Sequence, residues 1–142
     1  MSTKEYLSQS FTLHRIIKAR ETRIQQLREM LGSVTKGLQT GGKVQTSLKL
    51  DAIGELTANL IDAEEECHKD IAKLCLLQKE IEEIIESVPQ ANHRLILYDR
   101  YILLNNWEDI AENNNYSLKW VHVLHNHGLK DVEKILYNQT KI

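Results

Sequence analysis

Two long series of apolar residues, each advancing in alternating steps of three and four, dominate the first part of the chain. The first series spans residues 6–38 and is interrupted by the polar residues Ser10 and Arg20. The second spans residues 53–88 and is interrupted by Asp70. This spacing is typical of helices that pack side by side in coiled-coil fashion. The two series therefore predict two long helices with facing apolar seams.

Glycine, serine and threonine are concentrated between the two series and predict a loop at about residues 32–49. We therefore expect an antiparallel hairpin with helices at about residues 3–31 and 50–87. Good helix formers dominate the composition and the chain has a single proline, so an all-α fold is expected throughout. The prediction is a long, coiled-coil-like hairpin over residues 1–88, followed by a three-helix domain over residues 89–142.

The charges are segregated along the chain, although the formal net charge is only −2. Residues 1–50 hold nine Lys and Arg against three acids, whereas residues 51–88 hold three Lys against eleven acids. Such blocks are best neutralised when a basic helix lies against an acidic one. In the expected hairpin Arg20 falls opposite Glu64, and a polar pair at a seam can fix the register of two helices.

Apolar residues also occur off the two seams, at Phe11, Ile16, Leu76 and Ile85. They indicate that more than one face of the hairpin is buried, either by the C-terminal part of the chain or by another subunit. A hairpin that only holds a shape and a hairpin that mediates self-association are both compatible with this pattern. We expect a homo-oligomer, with a dimer favoured.

The C-terminal part has the pattern of a helix-turn-helix. Pro89 is suited to the first position of a helix over about residues 90–104, because its missing N–H is not needed there. A short helix, WEDIAENN, follows, and the consecutive asparagines 113–115 then predict a turn, since Asn tolerates the left-handed conformation. Ser117 is a good N-cap for a third helix. Short helix, tight turn and capped helix are the plan of a helix-turn-helix unit.

Spacing within this unit separates core positions from outward ones. Ala111 is small enough to let two helices cross closely, and Val121 lies where the third helix needs a core anchor. A recognition helix presents its other early positions to base edges and phosphates. The candidate DNA-binding residues are Ser117, Lys119, Trp120, His122, Val123 and Asn126. Trp120 has two interpretations, as an exposed anchor or as a core residue.

The stretch from Arg100 to Leu129, RYILLNNWEDIAENNNYSLKWVHVLHNHGL, resembles region four of bacterial sigma factors, the module that reads promoters. The pattern R-Y, W-E-D-I-A, Y-S-L-K-x-V-H-x-L-H is similar to an uncharacterised family of small phage and prophage proteins of Gram-positive bacteria. That family is related at its C-terminus to ArpU-type phage transcription regulators. The resemblance is specific around this stretch and only architectural over residues 1–88.

This resemblance implies a DNA-binding or RNA-polymerase-associated role in phage gene expression. It places the start of the recognition helix at Ser117 and gives structural roles to a second group of residues. These are Arg100, Tyr101, Trp107, Ile110, Ala111, Val121 and Leu124. Two alternatives stay open: a DNA-packaging protein similar to small terminase subunits, and a helix-turn-helix-shaped protein-interaction module that does not bind DNA.

The recognition helix departs from the region-four pattern in carrying few cations, Lys119 and Lys130, alongside histidines at positions 122, 125 and 127. DNA affinity depends on phosphate neutralisation, so a single copy should bind weakly. Protonation of the three histidines below about pH 6.5 is expected to make this helix more basic. At most two of them share a helical face, so no metal site is expected.

Composition limits the remaining function classes. The chain lacks a phosphate-binding glycine loop, a nucleophile elbow and a zinc-protease motif, so we expect no enzyme activity and no cofactor. It also lacks an apolar run long enough to cross a membrane or to serve as a signal core. We therefore expect a cytoplasmic protein that does not associate with membranes.

Overall fold

The structure is a computed structural model that describes residues 1–38 and 43–140, and the described residues form helices without any strand. The five helices are α1 Thr3–Gly37, α2 Lys43–Glu86, α3 Ala91–Tyr101, α4 Trp107–Asn114 and α5 Leu118–Thr140. The all-α prediction is confirmed, with a long helical hairpin, α1 and α2, followed by three shorter helices. Within the described ranges, none of the helices combines the length and the apolar character needed to span a bilayer.

Both hairpin helices extend further into the predicted loop than expected. Helix α1 continues past Gly32 to Gly37, and the hydroxyl of Thr35 donates to the carbonyl of Leu31 at 2.7 Å, one turn back. A glycine inside a helix costs only about 1 kcal/mol, which the packed seam can offset. The side chain of Lys49 donates to the carbonyl oxygen of Gly37. Residues 39–42, the centre of the predicted loop, lie outside the described residues.

The chain packs as two compact units whose limits differ from the expected boundary between residues 88 and 89. The hairpin unit comprises residues 14–72. The helix-turn-helix unit comprises residues 1–13 together with the chain from residue 73 onwards. The first turns of α1 and the last turns of α2 thus belong with the C-terminal helices.

The seam of the hairpin unit follows the predicted apolar series. Ile17, Ile24 and Leu27 of α1 are buried, as is Cys67 of α2. Burial of each large aliphatic side chain stabilises the packed helices by about 1.5–3 kcal/mol relative to an exposed one. The helical pairing in this unit therefore rests on the residues that the spacing singled out.

The register of the hairpin differs from the one expected, and the predicted contact between Arg20 and Glu64 is wrong. Arg20 forms its ion pair with Asp70, while Glu64 accepts a hydrogen bond of 3.1 Å from Arg28. Arg20 and Asp70 are the polar interruptions of the two apolar series. Pairing them places each charge opposite its only partner within the seam, which avoids the cost of burying either one alone.

The larger of two cores in the helix-turn-helix unit draws on four helices. Its buried residues come from the start of α1, the end of α2 and the C-terminal helices: Leu7, Ile81, Ile84, Ile85, Val88, Leu97, Tyr101 and Val132. Phe11 packs against this core. Of the apolar residues predicted off the seams, Phe11 and Ile85 are thus covered within the chain, while Ile16 and Leu76 stay 39% and 71% exposed.

The connection between α2 and α3 does not use Pro89 as a helical residue. Helix α3 begins at Ala91, with Gln90 in extended conformation as its N-cap. The guanidinium of Arg94 donates to the carbonyls of Val88, at 2.7 Å, and Pro89, at 3.1 Å. Arg94 thus satisfies both carbonyls of the connection from the first turn of α3, and this helix begins two residues after Pro89 rather than at it.

Helix α3 ends at Tyr101 rather than at about residue 104. Leu104 adopts a positive φ of 58°, and the N–H of Asn105 donates to the carbonyl of Asp99 at 3.0 Å. Arg100 donates to the carbonyl of Asn105 at 3.0 Å and closes the same turn. The reversal therefore occurs at a leucine, immediately before the asparagines that the sequence marks as the break.

Candidate nucleic-acid interface

Helices α4 and α5 meet in the tight, doubly capped arrangement that the sequence predicts. The side chain of Asn106 accepts from the N–H of Asp109 at 2.8 Å and caps α4. Asn115 ends α4 in the left-handed conformation, with φ 57° and ψ 38°. Ser117 then accepts from the N–H of Trp120 at 3.1 Å and caps α5. The turn between the two helices is only three residues long, so their relative direction is closely fixed.

A compact apolar cluster holds α5 against α3 and α4. Its buried members are Ile96, Ile110, Ala111, Val121 and Leu124. The structural positions of Ala111 and Val121 are therefore confirmed. Since Val121 and Leu124 lie on the inner side of α5, Lys119, His122 and Asn126 point away from the cluster.

Most of the candidate DNA-binding residues lie on the outer side of α5. Ser117, Lys119, His122 and Asn126 are exposed. Trp120 is 44% exposed, which decides between its two interpretations in favour of an outward position. Val123 is only half-buried rather than fully outward, because it lies closer to the side of α5 that carries Leu124. These residues share one helix and one capped N-terminus.

Trp107 connects the outer side of α5 to α3. Its ring contacts the rings of His122 and His125, each with 4.7 Å between centroids. The guanidinium of Arg100 lies 4.2 Å from the centre of the Trp107 ring and 4.3 Å from that of Phe11. A guanidinium between two aromatic faces is held by cation–π attraction on both sides. The orientation of His122 therefore depends on a stack that begins at α1.

His125 is a core residue, which corrects the expectation that three histidines of α5 could charge together. It is buried, and its Nε2 lies 2.6 Å from the hydroxyl of Tyr101. Burial, together with the smaller effects of the charges of Lys4 and Arg100 and of the nearby His122, lowers the pKa of His125 to about 4. Burial also raises the pKa of Tyr101 to about 12. At neutral pH this hydrogen bond therefore joins a neutral phenol and a neutral imidazole.

The third histidine lies beside another polar group of the same unit. The ring of His127 is 5.7 Å from that of His93, whose Nδ1 lies 2.6 Å from a carboxylate oxygen of Asp131. This contact joins α3 to α5 on the side away from Trp107. In the described part of the chain, no three His, Cys, Asp or Glu side chains converge in a way that could hold a metal ion.

The charge around the outer side of α5 is mixed. The first turn of α4 carries Glu108 and Asp109, both exposed, which favour the positive end of that helix. Lys119 is the one cation in the first two turns of α5, and Lys130 lies about 16 Å further along the helix. One copy of this surface therefore offers a polyanion few positive charges.

Sequence reasoning missed the residue that sets the distance between α3 and α5. A Cβ added at Gly128 would lie 3.1 Å from side-chain atoms of Leu97, which is fully buried. Gly128 thus allows the two helices to cross closely. A glycine inside an otherwise helical pattern is the sequence feature that could have indicated such a contact.

Comparison of the chain with protein-family models, curated proteins and solved structures finds no match.

Proposed function

We propose that the protein binds duplex DNA through the outer side of α5 and regulates phage or prophage transcription as a homo-oligomer. The observation that carries the proposal is the exposure of Lys119, Trp120 and His122 in the first two turns of a capped helix whose inner side is buried. Tryptophan is enriched at binding interfaces, where its ring contributes a large apolar contact area. The link to phages rests on the sequence resemblance.

The chemistry of α5 suits the two kinds of contact that DNA offers. The Ser117 oxygen accepts from its own helix, which leaves its O–H free to donate to a phosphate at the helix N-terminus. Lys119 can neutralise a phosphate or donate to guanine, and Asn126 can pair with an adenine edge in the major groove. Trp120 supplies apolar contact with thymine methyl groups. Phosphate contacts position the helix, and base contacts give sequence dependence.

Two copies of the surface are needed for useful affinity. Because each copy has one cation in the first two turns of α5, a monomer would release few counterions on binding. A dimer doubles the number of contacts and can engage two half-sites at once. A homo-oligomer, with a dimer favoured, is therefore part of the proposal.

The first experiment is capture of sheared phage and host DNA by the purified full-length protein at two salt concentrations, followed by sequencing. We expect enrichment of a discrete site, with a binding constant that falls as salt rises. For a dimer, Lys119→Ala should reduce the slope of log K against log salt by about 2, since each lost phosphate contact contributes about 0.9. Lys134→Ala is the matched control, because Lys134 is also exposed but lies about 22 Å along the same helix.

The double variant Lys119→Ala/His122→Ala separates binding from folding. Both residues are exposed, so the melting temperature should stay close to that of the wild type while DNA affinity falls. An affinity unchanged by both substitutions would remove α5 from the interface. A captured site at a packaging start, together with a ring of many subunits, would favour a role similar to that of small terminase subunits.

Protein recognition is the second candidate function, and the mixed surface of the unit favours it. Leu118 and Trp120 are 43% and 44% exposed, and the acids Glu108 and Asp109 lie on the neighbouring helix. Exposed apolar side chains near acidic residues suit a protein partner, such as RNA polymerase, better than they suit DNA. If no DNA is enriched at low salt but the protein binds purified RNA polymerase, protein recognition would be established as the function instead of DNA binding.

A further inference from the structure

One face of the hairpin unit carries a groove that no described residue fills. This groove consists of two separate pockets between α1 and α2, which follow one another along α1. The first is lined by Ile16, Ala19, Arg20, Arg23 and Ala63. The second is lined by Gln26, Glu29, Met30, Ser33, Val34 and Leu56. On α2, the two lining residues Leu56 and Ala63 are seven positions apart.

The α1 side of the groove repeats with the spacing of a second helix-packing seam. Ile16, Arg23 and Met30 are separated by seven residues each, as are Ala19, Gln26 and Ser33. A seven-residue repeat keeps side chains facing the same neighbouring helix over a long distance. Ile16 and Met30 are nevertheless 39% and 47% exposed. The repeat extends over about 26 Å of helix, long enough for a stable helix–helix contact.

The charges beside the groove are opposite on its two walls. Arg23 lies on the α1 side, where its guanidinium donates to the side-chain oxygen of Gln26 on the same helix, at 3.4 Å. On α2, each groove residue is preceded by an exposed acid, Glu55 before Leu56 and Asp62 before Ala63. No ion pair involves Arg23, Glu55 or Asp62 within the described ranges.

We infer that the groove is occupied by the same face of a second copy of this chain, with α1 of each copy lying antiparallel along α2 of the other. The occupant must offer apolar side chains at seven-residue spacing and an acidic stripe opposite Arg23, and this face carries both. In a two-fold symmetric contact each pairing occurs twice, so Arg23 of one copy meets Asp62 of the other at two places. The resulting four-helix packing covers Ile16 and Met30.

This dimer is the homo-oligomer that the proposed function includes, and the inference rests on that part of the proposed function alone. The test uses the full-length protein without DNA. Sedimentation equilibrium should show a dimer, and Arg23→Glu should raise its dissociation constant by at least about tenfold, because two ion pairs become like-charge contacts. Lys18→Glu is the matched control: it makes the same charge change on an exposed residue of α1, about 140° around the helix from Arg23.

A charge exchange tests the pairing itself. Asp62→Arg alone should weaken the dimer, and Arg23→Glu/Asp62→Arg together should restore it. Far-UV circular dichroism of each variant reports whether the helices are retained. The inference is overturned if the wild type stays monomeric throughout the micromolar range, or if Arg23→Glu leaves the dimer dissociation constant unchanged. It is also overturned if Lys18→Glu raises that constant as much as Arg23→Glu does, or if the double variant does not restore the dimer. If the wild type is monomeric but still enriches a DNA site, the inferred dimer is wrong while the proposed DNA binding stands.

Discussion

At the scale of single residues, the burial of His125 makes the stability of the helix-turn-helix unit depend on pH. Burial lowers the pKa of His125 in the folded protein to about 4, whereas an unfolded histidine titrates near 6.5. Between these values the unfolded chain binds more protons than the folded one. Stability is therefore fully present above about pH 6.5 and is lost as the pH falls towards 4, by on the order of 3 kcal/mol in total.

We predict that the free energy of unfolding, measured in urea, falls by about 2 kcal/mol between pH 7 and pH 5 because of His125. His125→Gln keeps a hydrogen-bonding group opposite the Tyr101 hydroxyl but does not titrate, so this part of the pH dependence should disappear. His68→Gln, at an exposed histidine of α2, should leave the wild-type pH dependence in place. Parallel pH profiles for the wild type and His125→Gln would show that His125 is not the responsible group.

Asn115 provides a second prediction at this scale, because it ends α4 in the left-handed conformation. A Cβ without a compensating polar group is unfavourable there, so Asn115→Ala should destabilise the protein by about 1 kcal/mol. Asn115→Gly should be neutral or slightly stabilising. Asn113→Ala, at an exposed position inside α4, is the matched control and should cost nothing. Thermal unfolding of the three variants measures the difference, and equal effects at positions 113 and 115 would contradict it.

At the scale of the helices, the ion pair between Arg20 and Asp70 determines how the hairpin arms are aligned. Asp70 is buried, while Arg20 is about 40% exposed. We predict that Arg20→Leu costs about 2–3 kcal/mol, because it leaves a buried carboxylate without a partner. Arg20→Leu/Asp70→Leu should regain this loss, since an apolar pair fits the seam.

The same urea titrations provide the control for this prediction. Arg28→Leu removes the ion pair with Glu64, whose side chains are both substantially exposed, and should cost less than about 1 kcal/mol. If the double variant at positions 20 and 70 were no more stable than Arg20→Leu alone, the pair would be contributing more than charge compensation, and its role in the seam would need another explanation.

The apolar series predicted that the arms pair, but it did not predict their register. Any alignment that lays a basic arm on an acidic arm gives similar bulk neutralisation, so the net charges could not distinguish Glu64 from Asp70 as the partner of Arg20. The register is decided locally, by the cost of burying an unpaired charge, because Asp70, unlike Glu64, faces the seam closely enough to be buried. Helix lengths were underestimated for a related reason: glycine and threonine lower helix propensity by amounts that packing readily exceeds.

At the scale of the whole molecule, contacts between residues distant in sequence explain the burial of side chains that the hydrophobic pattern did not predict. Leu7 is fully buried although the predicted seam used its neighbour Tyr6, because this end of α1 packs in the core that contains Val132. His125 was placed with the outward histidines because its partner, Tyr101, belongs to another helix. By contrast, the capped turn and the outward position of Lys119 depend on local spacing, and the sequence predicted both.

The shared core of the helix-turn-helix unit has a consequence for synthesis on the ribosome. Residues 14–72 are contiguous, so the hairpin unit has all of its contacts available while translation is still under way. Leu7 and Phe11 are synthesised before α5, whose Val132 belongs to the same core. During that interval the apolar start of α1 is exposed to chaperones and to neighbouring nascent chains, and the exposure ends when α5 has left the ribosome and can pack against it.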